Sequence, residues 1–310
     1  MQRAYARRST VGLSLEAKKF INSEHTGYYV DVMMPYREDA REKGGASSTT
    51  VKIHYMDEGA GEPLILIHSV GQSIYTWRRL FAKLSESYRV IAIDLPGHGF
   101  SDRPVQFSYG IADYADMLRR VMDALRIQSA HFLAFSMGCA YVLQLARMSP
   151  ERMGRIIALT PGGVTAEMPS TVRMMESSVF GPIASRLYGI RAVEKMLGEC
   201  FFDLTNITPD VVNEYYRTVA DPDARRAIRR TLQKYDEDGL FTELRAIETP
   251  VLILWGSEDK WHPAELQELY HSAMKNAGYV IVRNTGHLLH EEKYDKVLEL
   301  IKEYIPVPID

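Results

Sequence analysis

The chain has 310 residues, 46% of them hydrophobic and 25% charged, with a formal charge of -3. That size fits two domains or one domain carrying an insertion, and the apolar content suffices for a core without staples. Lys+Arg (37) and Asp+Glu (40) balance, which removes a global field for nucleic acid; two cysteines exclude a disulfide-stapled fold. No uninterrupted apolar run approaches the roughly 18 residues of a membrane span. At the start, MQRAYARRSTVGLSLEAKKF is basic but lacks the apolar centre of a secretory signal. Residues 1–27 are expected to form a basic, solvated and partly ordered arm, with organellar targeting the minor alternative and the cytoplasm the expected location.

Tyr28–Met34 and Val51–Asp57 predict strands, separated by a polar segment containing glycine. LILIH, RVIAIDL, AHFLAF, RIIALT and VLILW are short runs, rich in branched residues and apolar on both faces. Such runs suit a mostly parallel sheet covered by helices on both sides. Between them Trp77–Leu84, Ile111–Leu125 and Met137–Met148 predict helices, so strand and helix alternate from about residue 64 to 160. The alternation then stops. Residues 164–239 are helical in pattern and cut by prolines, with Thr208-Pro209 and Asp221-Pro222 predicting capped helix starts. Val251–Trp255, Ala264–Met274, Tyr279–Val282 and Tyr294–Tyr304 restore the rhythm. The expected organisation is an α/β core over residues 28–163 and 240–310, interrupted by a helical cap at 164–239.

Ser136 stands where the Ala130–Phe135 strand turns directly into a helix, between Ala134 and Gly138. A serine on such a turn is lifted clear of the sheet at the positive end of the helix. Asp259 follows the Val251–Trp255 strand, and His287 lies in the loop after Tyr279–Val282. A histidine that removes the serine proton and a carboxylate that fixes its tautomer make an activated nucleophile. Glu258 is the rival for the acid and His290 the rival for the base. The oxyanion formed on attack requires two converging donors, expected from the backbone N–H groups of Met137 and Val70. His68 and Asp94 are expected to fix loops. Pro96-Gly97-His98-Gly99 has no phosphate-loop spacing, and no sequence spacing of His, Cys and carboxylate predicts a metal. No cofactor is expected.

LILIHSVGQS, VIAIDLPGHGFSDRP, HFLAFSMGCAYVLQLARMSPERMGRIIAL, LILWGSEDKW and NTGHLLHEE together resemble the α/β-hydrolase superfamily, over about residues 28–305. The order Ser136, Asp259, His287 is the order of that superfamily. The resemblance implies a mostly parallel sheet flanked by helices, with an inserted helical cap. Within the superfamily, SMG, LTPGGV and KMLGECFFDLTNITPDVV are similar to the meta-cleavage product hydrolases, which split a carbon–carbon bond with the same triad. That likeness puts Tyr215 where those enzymes use an arginine on the substrate carboxylate, with Arg217 two residues away. It puts Leu288 where they often carry tryptophan. The expected substrate-binding set is Ser69, Met168, Met175, Tyr215, Arg217 and Leu288. The expected activity is cleavage of a carboxylic ester or lactone of a small to medium, largely apolar substrate through an acyl-enzyme. Carbon–carbon bond hydrolysis is the alternative, and a biosynthetic cyclase or binding protein on the same fold is the third reading.

Overall fold

The computed structural model describes residues 15–21, 23–35, 48–162, 177 and 180–306. Eight strands form one sheet: β1 (Tyr28–Pro35), β2 (Ser48–Glu58), β3 (Pro63–Ile67), β4 (Arg89–Ile93), β5 (Ala130–Phe135), β6 (Met153–Leu159), β7 (Val251–Gly256) and β8 (Ala277–Val282). Their spatial order is β1-β2-β4-β3-β5-β6-β7-β8. β2 pairs antiparallel with β1 and β4, and every other pairing is parallel. The apolar runs account for the middle of this sheet. Leu64, Ile65, Leu66 and Ile67 of β3 are all buried, as are Val90 to Ile93 of β4, because helices cover both faces. β1 lies at an edge and alternates instead, burying Val32 and Met34 while Tyr29 and Met33 face outward.

The helices are α1 (Leu15–Ile21), α2 (Ser23–Thr26), α3 (Phe81–Ser85), α4 (Ile111–Ala124), α5 (Met137–Met148), α6 (Gly181–Leu187), α7 (Ile190–Cys200), α8 (Pro209–Ala220), α9 (Pro222–Lys234), α10 (Glu237–Glu243), α11 (Leu266–Ala273), α12 (Leu289–Glu292) and α13 (Tyr294–Tyr304). α6 to α10 are inserted between β6 and β7. Thr208 and Asp221 cap α8 and α9 with their side chains, each followed by proline at the first helical position. α8 turns Val211, Val212, Tyr215 and Val219 inward. No helix among the described residues is long and apolar enough to cross a membrane.

One expectation needs correction. The predicted helix over 77–84 is broken into a 3-10 turn at Ile74–Trp77 and the short α3. Ser73 caps the turn, and Asp94 Oδ1 accepts the Ile74 N–H at 2.9 Å, so a short 3-10 turn satisfies the backbone before the α-helix begins. Where it is described, the N-terminal segment packs on the core. Phe20 is buried edge-on against Phe81, with ring centroids 5.4 Å apart, and the Ser23 carbonyl faces His54 Nε2 at 2.9 Å.

The strand order positions the site. From β3 the chain passes to β4 on one side, while β5 lies on the other, so the loops after β3 and β5 diverge at a switch point. Gly138 holds these loops together. A Cβ there would stand 2.6 Å from the His68 carbonyl oxygen and 2.9 Å from that of Ile67. The helix start beside Ser136 therefore packs directly on the strand end that leads to Val70.

Candidate active site

Ser136 occupies a backbone conformation that a side chain normally avoids, with φ 50° and ψ -124°. It is held there by its own N–H, which donates to the Leu159 carbonyl at 2.9 Å, and by the Cys139 N–H, which donates to the Ser136 carbonyl at 2.9 Å. Maintained strain of this kind at a strand-to-helix turn aims the hydroxyl away from the sheet. The Met137 N–H is among the first of α5, where helix geometry leaves it without an intrahelical acceptor. Val70 lies in the loop after β3, across the contact made by Gly138.

Asp259 and His287 reach Ser136 from the ends of β7 and β8. Ser136 Oγ donates toward His287 Nε2 at 3.3 Å, and His287 Nδ1 donates to Asp259 Oδ2 at 2.7 Å. Asp259 Oδ1 also accepts the backbone N–H groups of Trp261 and His262, each at 2.9 Å. Burial pushes the Asp259 carboxyl up, but His287 and these N–H donors outweigh it and hold it below its ordinary value. Of the rivals, Glu258 is exposed and paired with Ser257. His290 is buried against Thr76 instead, its Nε2 2.7 Å from Thr76 Oγ1; burial drives its pKa down to about 3.

The loops carrying Asp259 and His287 touch at Gly256, where a Cβ would run into the backbone carbonyls of Thr285 and Gly286. Gly256→Ala should therefore cost about 1–3 kcal/mol and separate the acid from the base. Chemical denaturation and turnover measured together would check this; unchanged values in both would contradict the close approach.

Other residues set the loops. His68 Nδ1 donates to the Ser69 carbonyl at 2.7 Å and Nε2 accepts the Leu95 N–H at 3.0 Å, with burial lowering its pKa. Asp94 accepts from Ile74, Phe100 and His54 Nδ1. Burial opposes its charge, but the His54 hydrogen bond and charge prevail, and its pKa falls to about 2.

The candidate substrate residues are dispersed. Tyr215 is buried; its hydroxyl donates to Glu291 Oε1, lies 3.2 Å from Thr76 Oγ1 and accepts from Gln72 Nε2 at 3.5 Å. With Gln72, Ser73, Tyr75, Thr76, Glu214 and Thr218 it lines a shallow, partly open depression. Ser69 joins this network through its N–H, which donates to Gln72 Oε1 at 3.1 Å. Arg217 pairs with Glu214 at 2.8 Å and stacks on Phe100 at 4.5 Å. Leu288 is buried, and its N–H donates to the Cys200 carbonyl at 3.4 Å. Met168 and Met175 lie outside the described residues.

Sequence reasoning overlooked two carboxylates directly after the histidine loop. Glu292 accepts the N–H groups of Gly286, Phe202 and Asp203, tying the loop of His287 to the chain beyond α7. Glu291 accepts Arg78 at 2.5 Å and Thr76 Oγ1 at 2.9 Å. The signal was present in His290-Glu291-Glu292, charged residues following the apolar Leu288-Leu289.

A family model for the α/β hydrolase fold matches residues 62–294. The chain is similar to the 2-hydroxy-6-oxononadienedioate/2-hydroxy-6-oxononatrienedioate hydrolase of Paraburkholderia phymatum, at 27% identity over 266 residues covering 81% of this chain and 90% of that protein. It is likewise 27% identical over 264 residues to the 2-hydroxy-6-oxo-6-phenylhexa-2,4-dienoate hydrolase of Comamonas testosteroni, covering 82% and 91%. Among solved structures, the meta-cleavage product hydrolase from Pseudomonas fluorescens IP01 matches with a TM-score of 0.69 at 25% identity, covering 82% of this chain and 94% of that one. The sheet order, the elbow and the matched length lead to one conclusion: this chain belongs to the α/β-hydrolase fold family.

Proposed function

We propose that the protein is a serine hydrolase acting at the carbonyl of a small, largely apolar substrate, and that the bond it breaks is a carbon–carbon bond beside a ketone. The observation that carries the hydrolase reading is the relay from Ser136 through His287 to Asp259, at 3.3 and 2.7 Å, on an elbow with positive φ. The named activities of the curated relatives at 27% identity support the carbon–carbon choice over the ester or lactone expected from the sequence.

In this reading Ser136 Oγ adds to the carbonyl carbon as its proton passes to His287 Nε2. Asp259 holds the other ring nitrogen and supports the imidazolium. The Met137 and Val70 N–H groups stabilise the oxyanion. Collapse of the adduct releases the carbon leaving group, which takes the proton from His287. Water, activated by His287, then releases the acyl group as an acid and restores Ser136. The inserted helices α6 to α10 serve as the cap over this site.

A specific observation favours the ester or lactone as second reading. Tyr215, at the position implied for the carboxylate-binding arginine, faces Glu291, while Arg217 is engaged by Glu214. An anionic substrate gains nothing from that surrounding. The two readings separate by comparing kcat/KM for a coloured 2-hydroxy-6-oxo-dienoate with that for a short-chain aryl ester. Preference for the dienoate by at least about tenfold, or 1.4 kcal/mol, is the expected result. Preference for the aryl ester would transfer the assignment to the second reading.

A further inference from the structure

The proposed reaction leaves the buried ring of His262, in the Asp259 loop, unused. Its backbone N–H caps Asp259, but its ring lies edge-on to the His287 ring, with centroids 4.9 Å apart. The ring is buried and makes a hydrogen bond to the Thr160 backbone. Its Nδ1 is also buried and has no hydrogen-bond partner. A ring that donates through one nitrogen carries a lone pair on the other. Here that lone pair is Nδ1, beside a carboxylate and a second imidazole. One ligand atom from each of Asp259, His262 and His287 lies within 4.8 Å of the other two.

We propose that Asp259, His262 and His287 form an inhibitory site for a divalent transition metal, with Zn²⁺ as the fitting ion. Two imidazoles and a carboxylate, with water as fourth ligand, are a donor set that zinc accepts in tetrahedral geometry. The ion enters between Asp259 Oδ2 and His287 Nδ1, now 2.7 Å apart. Metal–ligand bonds near 2.0 Å require those atoms to separate to about 3.3 Å, a displacement of a few tenths of an ångström on each side. Protons balance without loss. Asp259 is already ionised, the His262 Nδ1 lone pair is free, and the proton on His287 Nδ1 moves to Nε2. That transfer is what inhibits. With Nδ1 on the metal, Nε2 bears hydrogen and cannot accept the Ser136 proton. The ion therefore locks the base in the wrong tautomer without touching Ser136. Trp261, stacked on His287 with centroids 5.5 Å apart, shields the same ring from the side.

The inhibitory consequence rests on the proposed role of Ser136, whereas binding of the ion does not, and the experiment keeps them apart. Co²⁺ is added to the full chain as a spectroscopic stand-in for Zn²⁺, in wild type, Ser136→Ala and His262→Gln. Glutamine can keep the Thr160 hydrogen bond while removing the Nδ1 lone pair. The expected result is the visible absorption of tetrahedral Co²⁺ at one equivalent in wild type and Ser136→Ala, lost in His262→Gln. In parallel, Zn²⁺ should suppress fluorophosphonate labelling of wild type, and a chelator should restore it. The Zn²⁺ concentration for half suppression should rise at least about tenfold in His262→Gln, since even indirect partners of a ligand are worth 10–100-fold in metal affinity. Visible bands that persist in His262→Gln, or that never form in wild type, overturn the site. Bands without suppressed labelling overturn the inhibitory role alone, and absence of labelling in metal-free wild type defeats the serine reading instead. If His262→Gln fails to fold, diffraction at the zinc edge from Zn²⁺-soaked wild-type crystals decides. A peak between Asp259 and His287 supports the proposal, and a peak only elsewhere overturns it.

Discussion

Ser136→Ala is expected to lower turnover by about 10⁴- to 10⁶-fold and to abolish covalent labelling by a fluorophosphonate. The hydroxyl is the only group on the elbow that can bond to a carbonyl carbon, and the strained turn has no other evident use. His287→Ala should lose nearly as much, because an unassisted serine is a poor nucleophile at neutral pH. The double variant should be hardly worse than either single one, since residues acting as a unit do not contribute additively. Asp259→Asn is expected to lose about 10⁴-fold by presenting His287 in the wrong tautomer. Single-turnover measurements on the preferred substrate check all four variants. Turnover within about tenfold of wild type in Ser136→Ala would remove the nucleophile, and with it the acyl-enzyme.

The second large effect concerns the buried charges behind the histidine loop. Arg78 and Glu291 lie 2.5 Å apart with side chains 7% and 1% exposed, and Thr76 and Tyr215 complete the coordination of the carboxylate. Removing one partner leaves a buried charge uncompensated, so Arg78→Leu is expected to destabilise the protein by about 3–5 kcal/mol. Replacing both partners by apolar residues of similar volume should cost less, because the desolvation of both charges then disappears.

The pH dependence makes this prediction sharper. In the native protein burial raises the Glu291 carboxyl, but Arg78 and the surrounding donors outweigh it, leaving the pKa below 4.5. A carboxyl whose folded pKa is depressed contributes stability above its unfolded pKa and loses it as pH falls through the folded value. In Arg78→Leu the cation is gone and burial raises the pKa above the unfolded value. The sign then reverses, and this group favours the native state increasingly as pH falls toward 4.5. Urea denaturation across the acid range, wild type against variant, reads the difference directly. Parallel curves would show that the Arg78 charge does not govern Glu291. The same carboxylate binds Tyr215 of α8, so the variant should also loosen the inserted helices, visible as faster amide exchange in α8.

Much of the architecture was legible because its causes are local. Runs such as Leu64–Ile67 are apolar on both faces wherever a strand lies between two helical layers, and Thr208-Pro209 and Asp221-Pro222 carry their capping chemistry within three residues. The placement of Ser136, Asp259 and His287 beyond the ends of β5, β7 and β8 was legible for a related reason, since each lies within five residues of an apolar run that forms a strand. The 3-10 turn at Ile74–Trp77 was not, because it depends on a hydrogen bond from Ile74 to Asp94, twenty residues away.

That Asp259 rather than Glu258 meets His287, and His287 rather than His290 meets Ser136, belongs to the tertiary structure. Adjacent or near-adjacent residues have the same sequence context but point to different neighbours once the loops fold. The same holds for Tyr215 and Glu291, 76 residues apart, and for Arg78 and Glu291, 213 apart. His262 lies beside the base only because β7 and β8 are parallel neighbours with touching loops. Sequence alone determined the mostly parallel sheet and its covering helices. The tertiary structure decided which side chains meet at the strand ends, because burial pattern is periodic along the chain while pairing between distant loops follows from strand order.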